Sequence, residues 1–242
     1  MQKLYTPTHT LKPFGENLWV VDGDVIKFYG MPFTTRMVVV KLAGDELLIH
    51  SPINLTENLK QELDKLGKVK YLISPNKIHY WYIEDFQKSY PEAVTFASDG
   101  VQDRSKKASK NIRWDNELKN LKTNYFTDLE IIPIPGNRFM TEYTFFHFPS
   151  SSWIVTDIIE NFEAQKINPF FRIIAFLGGA LSPNGGTTRD QQMLFKGNHK
   201  LLRKNIDRLK ELNPKQIIMA HGKILNNNIP VEINRIFGWV KK

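Results

Sequence analysis

Four polar residues stand shortly after apolar runs of this chain. They are His79 after Leu72-Ile-Ser74, Asn137 after Pro133-Ile-Pro-Gly136, Asp157 after Ile154-Val-Thr156, and His221 after Ile217-Ile-Met-Ala220. In layered α/β folds, active sites gather at strand ends, where a His or Asp serves as metal ligand or general base. Each taken singly is more often a hydrogen-bonded structural residue. Four in this arrangement bring the functional reading level with the structural one. Cysteine is absent, which excludes disulfides and thiolate zinc sites and leaves His, Asp and Glu as ligands.

The elements that must position these residues follow from periodicity. Leu18–Asp22, Met37–Leu42 and Glu46–His50 alternate or run apolar with β-branched residues, which predicts a meander of three strands. Leu55, Leu59, Leu63 and Leu66 recur at helical spacing behind Thr56. A buried strand at Val69–Ser74, a helix ending near Tyr90 and a strand at Ala93–Ala97 come next, and this order argues for stacked α/β layers. The polar stretch Asp99–Asn120 reads as an excursion over the surface. Leu129–Ile134, Tyr143–Phe148 and Trp153–Asp157 read as strands, with Pro149–Ser152 as a hairpin turn. Two strand groups separated by helices imply two sheets, each with helices outside. Phe162–Gln191 is aromatic and Gly-rich, and reads as a helical lid with loops. Lys200–Leu212 is an amphipathic helix, Gln216–His221 a last strand, and Val231–Val240 a closing helix.

The 242 residues, 41% hydrophobic and 24% charged, suit a globular protein. No repeat or linker interrupts them, so a single domain over residues 1–242 is expected. The most apolar stretch, Phe170–Leu181, is interrupted by Arg172 and falls short of the roughly 20 residues a bilayer span takes. The N-terminus lacks the apolar core of a secretory signal, and a cytoplasmic protein is expected. The net charge of +8 reads as a lysine-rich surface, because no aromatic-basic nucleic-acid motif accompanies it.

The element order, and a series of phrases along the chain, resemble the metallo-β-lactamase superfamily, in an uncharacterised branch. The phrases are Leu18-Trp-Val-Val-Asp-Gly23, Pro32-Phe-Thr-Thr-Arg-Met37, Ile49-His-Ser-Pro-Ile53, Ser74-Pro-Asn-Lys-Ile-His79, Val155-Thr-Asp-Ile-Ile-Glu-Asn-Phe162 and Ala220-His-Gly222. The resemblance implies a four-layer αββα sandwich. Active members carry Thr-His-x-His-x-Asp-His on a loop that binds one or two metals. Here that loop reads Ser74-Pro75-Asn76-Lys77-Ile78-His79-Tyr80, with Pro75 and Lys77 at the leading His positions and Tyr80 at the last. Asn137 stands where the next His belongs, Asp157 matches the bridging Asp, and His221 matches the final His. The resemblance therefore leaves His79, Asp157 and His221 as a reduced ligand set, with Asp157 and His79 as catalytic candidates. Two imidazoles and a carboxylate suit one divalent Zn, Mn or Fe with a position open for water. Lys77, a positive charge beside such a site, argues against a two-metal clamp.

Around this set, Lys77, Asn76, Tyr80, Asn137, Glu142 and His50 are the expected pocket residues. Glu142 is expected to pair with Lys77 or Arg138. His50 either bonds a loop carbonyl or joins the site. His147 is read as a sheet residue, His199 as solvated on a helix start, and His9 as near a flexible terminus. Two functions stay open. One is a one-metal hydrolase acting on a small ester, thioester or phosphoester. The other is a non-catalytic domain, binding a partner or a small anionic molecule on Lys77 in a pocket that Trp81 also lines, with no metal at all. A nuclease ranks last, because nucleases of this superfamily rely on the intact His-rich loop.

Overall fold

The computed structural model describes residues 3–28 and 30–240. The first sheet is built from β1 (Lys12–Gly15), β2 (Leu18–Phe28), β3 (Met31–Lys41), β4 (Glu46–His50), β5 (Lys68–Ile73), β6 (Val94–Ala97) and β7 (Asn116–Glu117), which lie side by side in chain order. The first four strands are antiparallel, and β4 to β7 are parallel. Parallel neighbours need crossovers. These are α1 (Glu57–Leu66), α2 (Ile83–Ser89) and α3 (Val101–Lys107). The second sheet has the order β11-β10-β9-β8, from β8 (Leu129–Ile134), β9 (Glu142–His147), β10 (Ser152–Ile154) and β11 (Gln216–Ile218). Between β10 and β11 run α4 (Pro169–Gly178), α5 (Arg189–Leu194) and α6 (His199–Leu212), and α7 (Ile229–Ile236) closes the chain.

Side-chain alternation explains the layering. On β3, Val38 and Val40 enter a core shared with Phe145, Ile154 and Ile218 of the second sheet, while Met37 and Val39 join Leu59 and Leu63 of α1. Successive strand residues point to opposite faces, so one valine run serves two cores. A third core packs Trp153, Ile217 and Met219 against Leu202, Ile206 and Leu209 of α6 and Ile233 of α7. The order is helices, sheet, sheet, helices: the four-layer αββα sandwich.

Boundaries differ from the sequence reading where tertiary pairing overrides local pattern. The β2–β3 hairpin pairs as far as Phe28 and Met31, past a bulge between Asp22 and Val25, well beyond the apolar run. The segment 99–120 contains α3 and β7, held by the Trp114 indole donating to Ser105 Oγ at 3.3 Å and the Thr95 amide donating to Asp115 at 2.9 Å. Helix α1 starts after Thr56, whose hydroxyl accepts from the Leu59 amide. Helix α7 starts two residues before the expected Val231, with Pro230 in its first turn.

Two histidines are buried in the sheets. His50 packs edge-on against Phe145 at 5.3 Å, and His147 takes a contact from Ser150 Oγ at its Nδ1, 2.7 Å away. Burial lowers them to about 3 and about 4 respectively. The unfolded chain therefore binds protons below about pH 6.5 that the folded one refuses, so stability falls as pH drops through 6.5 toward those values. We expect each histidine to cost about 2 kcal/mol at pH 5 relative to pH 8. Glu160, raised to about 8, works in the opposite sense over this range, so the measure is the difference between variant and wild type. Urea midpoints in EDTA at the two pH values should show His147→Gln about 2 kcal/mol better off at pH 5 relative to pH 8 than the wild type is.

Candidate metal centre and pocket

Three loops converge between the ends of the two sheets. The first leaves β5. Asn76 shapes it, with its side-chain oxygen accepting the Ile78 amide at 2.9 Å, and its backbone oxygen accepting the His79 amide. The second follows β10 and carries Asp157. The buried Glu142 carboxylate accepts the backbone amides of Thr156, Asp157 and Ile158 at 2.7, 2.8 and 3.0 Å, and so holds that loop in place. The third follows β11 and carries His221. Arg36 donates to the carbonyls of Met219 and Gly222 at 2.7 and 2.9 Å, and its other terminal nitrogen meets Asp22 at 2.7 Å. Gly222 has φ +97, and a Cβ there would lie 2.2 Å from the Asn161 carbonyl oxygen, so the turn behind His221 needs glycine.

The result is a tight cluster. His79 Nε2 lies 3.0 Å from Asp157 Oδ2, His221 Nε2 lies 3.2 Å from Asp157 Oδ1, and the two rings are 5.4 Å apart. One ligand atom from each residue falls within 4.8 Å of the others. The outer nitrogens are engaged. His221 Nδ1 donates to the Thr34 carbonyl at 2.7 Å, and His79 Nδ1 meets Ser51 Oγ at 2.6 Å. A His that donates its Nδ1–H to a carbonyl presents the Nε2 lone pair inward, the arrangement metal-ligating histidines use. Tetrahedral bonds of about 2.0–2.1 Å separate ligand atoms by roughly 3.3 Å. The two short contacts run to different oxygens of Asp157, and with one atom from each residue the set lies within 4.8 Å, so small side-chain rotations bring it to an ion. The donor set fits one divalent ion.

Electrostatics make the cluster self-consistent without an ion as well. Burial works against the Asp157 charge, but the His79 charge and hydrogen bonds from both imidazoles outweigh it and hold Asp157 below the usual carboxylate range. For His221, burial disfavours the charged form, yet the hydrogen bond and charge of Asp157 prevail and raise it. Asn76 Nδ2 adds a donor to Asp157 Oδ2 at 2.6 Å. Glu142 is shifted upward by burial and by the Asp157 charge, against the pull of its backbone donors.

The cluster forms one wall of a cavity of about 370 Å³. Glu160 and Asp190 line it, together with Asn137. Burial, reinforced by the nearby acids, pushes the Glu160 carboxyl up to about 8 despite the His221 charge. The rest of the lining is mainly apolar, from the β2–β3 hairpin, α4 and the loop before β9.

The expected pocket residues divide. Asn76 touches Asp157 from behind, and Glu142 supports its loop. Several expectations need correction. Lys77 lies off the cavity, its ammonium 3.8 Å from the Phe139 ring centre, and burial beside Arg104 lowers its pKa. Tyr80 is buried with Ile83 and Phe86 in the helix-side core, and His50 sits behind the site against Phe145. Glu142 pairs with neither Lys77 nor Arg138. Arg138 bonds the Lys196 carbonyl at 2.8 Å, and three backbone amides satisfy the buried carboxylate better than a flexible ammonium would. Asn137 reaches the cavity, but its side-chain oxygen accepts the Phe139 amide at 2.8 Å, so it caps a turn. His9 is held by Asp24 at 3.1 Å and the Asn54 carbonyl, while His199, half-buried at the start of α6, also packs edge-on with Trp239 at 5.4 Å. Sequence reasoning missed Glu160, Ser51 and Arg36. Of these, Glu160 stands three residues after Asp157 in an apolar run, and that proximity is its one mark in the sequence.

Fold and site together define the class: the chain has the metallo-β-lactamase fold. A metallo-β-lactamase from Pontibacter korlensis superposes with TM-score 0.63 over 98% of this chain and 99% of its own, at 11% identity. The DIM-1 metallo-β-lactamase, in a structure exposed to ceftazidime, gives 0.65 over 97% of each chain at 12% identity. A metal-soaked Flv1 flavodiiron core from Synechocystis sp. PCC6803 gives 0.63 over 99% of this chain and 61% of its own, at 12% identity. More particularly, residues 16–103 match the family model described as a domain of unknown function, DUF4336. No curated protein matches the sequence. Among the described residues, no helix is long and apolar enough to cross a membrane.

Proposed function

We propose that the protein is a one-metal hydrolase of a small ester, thioester or phosphoester. The observation that supports this most is the convergence of His79, Asp157 and His221 from three separate loops, with outer ring nitrogens already engaged. These three side chains would hold the ion. A divalent ion there supplies Lewis acidity and lowers the pKa of water. Only one ion is accommodated by this donor set, because Asn137 spends its oxygen on the turn and Lys77 faces Phe139.

The chain supplies the remaining parts. Glu160 lines the cavity and makes no side-chain hydrogen bond to protein among the described residues. Below about pH 8 it carries a proton, which suits a general acid toward a leaving group. Protein refolded with zinc, manganese or iron should hold one ion per chain and hydrolyse at least one of p-nitrophenyl acetate, an acyl thioester or bis-p-nitrophenyl phosphate. Glu160→Gln should keep the metal and lower the rate about 100-fold. A divalent ion beside Glu160 lowers that value, so the wild-type rate should decline with rising pH at or below about 8. Full metal content with no turnover of any of the three would leave the binding-protein reading.

That second reading draws support from the mainly apolar lining of the cavity and from the closed His-Asp-His contacts, which satisfy one another without a metal. The anionic ligand expected on Lys77 loses its anchor, since that ammonium is turned onto Phe139.

A further inference from the structure

The lid helix α4 is under-packed. Among its residues only Ala175 is buried, and the core it joins is a small one, with Phe162, Ile167 and Ala180, separate from the three main cores. Its inner residues Phe171, Ile174 and Ala175 face the cavity, opposite Ile26 and Phe33 of the β2–β3 hairpin. Phe162, the residue of that small core nearest in sequence to Asp157, also lines the cavity and packs on Phe33 at 5.6 Å. An apolar cavity bounded by a weakly held helix gains packing when an apolar group fills it.

The opposite end is polar and acidic. Asp157, Glu160 and Asp190 border the cavity, and its cation, Arg36, is already held by Asp22 and two carbonyls. The His79 and His221 rings on the same wall are likewise taken up by Asp157. Among the described residues an anionic head group therefore meets only cations already paired with carboxylates, whereas a neutral head meets acceptors and a carboxyl donor.

We propose that the pocket takes an amphiphile with a neutral polar head, the head toward His79, Asp157 and Glu160 and a straight apolar chain beneath α4 against Phe33, Phe162 and Phe171. This deepens the hydrolase reading and rests on it for the placing of a scissile ester or thioester at the head. The chain subsite itself does not need metal.

The test uses full-length protein in EDTA with straight-chain primary alcohols from butanol to decanol, titrated calorimetrically. Each added methylene should tighten Kd about three- to fourfold until the cavity is filled. The carboxylate of equal length should bind at least tenfold more weakly than the alcohol. Ala175→Phe, which fills the cavity from the lid, should abolish decanol binding while the protein still takes up zinc as the wild type does. A Kd independent of chain length overturns the proposal, as does a folded Ala175→Phe protein that binds decanol normally. Because the series is run without metal, its failure leaves the metal site standing, and a chain that binds alcohols but no metal sinks only the hydrolase reading.

Discussion

Asp157→Ala is expected to abolish stoichiometric zinc binding, with affinity falling about 100-fold or more. The aspartate is the shared member of the cluster, touching His79 through one oxygen and His221 through the other. Structural zinc sites with four ligands hold the ion by about 10–16 kcal/mol, so one ligand accounts for roughly 3 kcal/mol, or about two decades of affinity. Two imidazoles alone leave the ion mostly to water. Competition against a zinc chromophore at pH 7.5 measures the change, and His221→Ala should behave alike. If both variants retained wild-type affinity, the ion would be bound elsewhere and the three-residue centre would be wrong.

Glu142→Ala should be the most destabilising single change near the site, by about 3–5 kcal/mol. Its carboxylate is buried and receives three consecutive backbone amides, from Thr156, Asp157 and Ile158. Alanine leaves all three donors unsatisfied, and each buried orphan costs about 1–3 kcal/mol, partly relieved by entering water. Glu142→Gln keeps the shape but offers one acceptor oxygen and a repelling amide. It should lose about 1–2 kcal/mol and weaken zinc binding about 10–100-fold, as changes in groups that orient ligands do. Urea unfolding in EDTA gives the stability and the zinc titration gives the affinity. A Glu142→Ala protein as stable as wild type would show that the 156–158 loop is held by its packing instead.

Glu142 also shows why part of the site could not be read from sequence. An acid one strand before Asp157 invites pairing with a nearby cation, and Lys77 and Arg138 were the candidates within reach of that logic. Backbone amides are present at every residue and leave no mark in the sequence, so their convergence on one carboxylate is invisible until the loop has a shape. Lys77 misled for a related reason. Its position in the degenerate motif places a charge at the metal, but four rotatable bonds let the ammonium reach the Phe139 face, where the ring's negative π face attracts it. Glu160 was passed over because one acid in an apolar run has no periodic signature, although it stands three residues from Asp157 on the cavity wall.

The layered fold was legible because burial writes a repeating code. Val38 and Val40 on one face and Met37 and Val39 on the other require two cores, and the leucines of α1 and the apolar stripe of α6 supply the outer layers. The strand-end positions of His79, Asp157 and His221 were legible for the same reason, since an apolar run that stops at a polar residue marks where the sheet meets solvent. Only the tertiary structure decided that these ends face one another, which ring nitrogens are engaged, and that an apolar cavity under α4 adjoins them. Those outcomes depend on loop shapes and on contacts between residues up to 187 positions apart, such as His221 with the Thr34 carbonyl. Directional contacts across that separation have no local pattern, whereas hydrophobic burial, being non-directional, imprints its period on each segment separately.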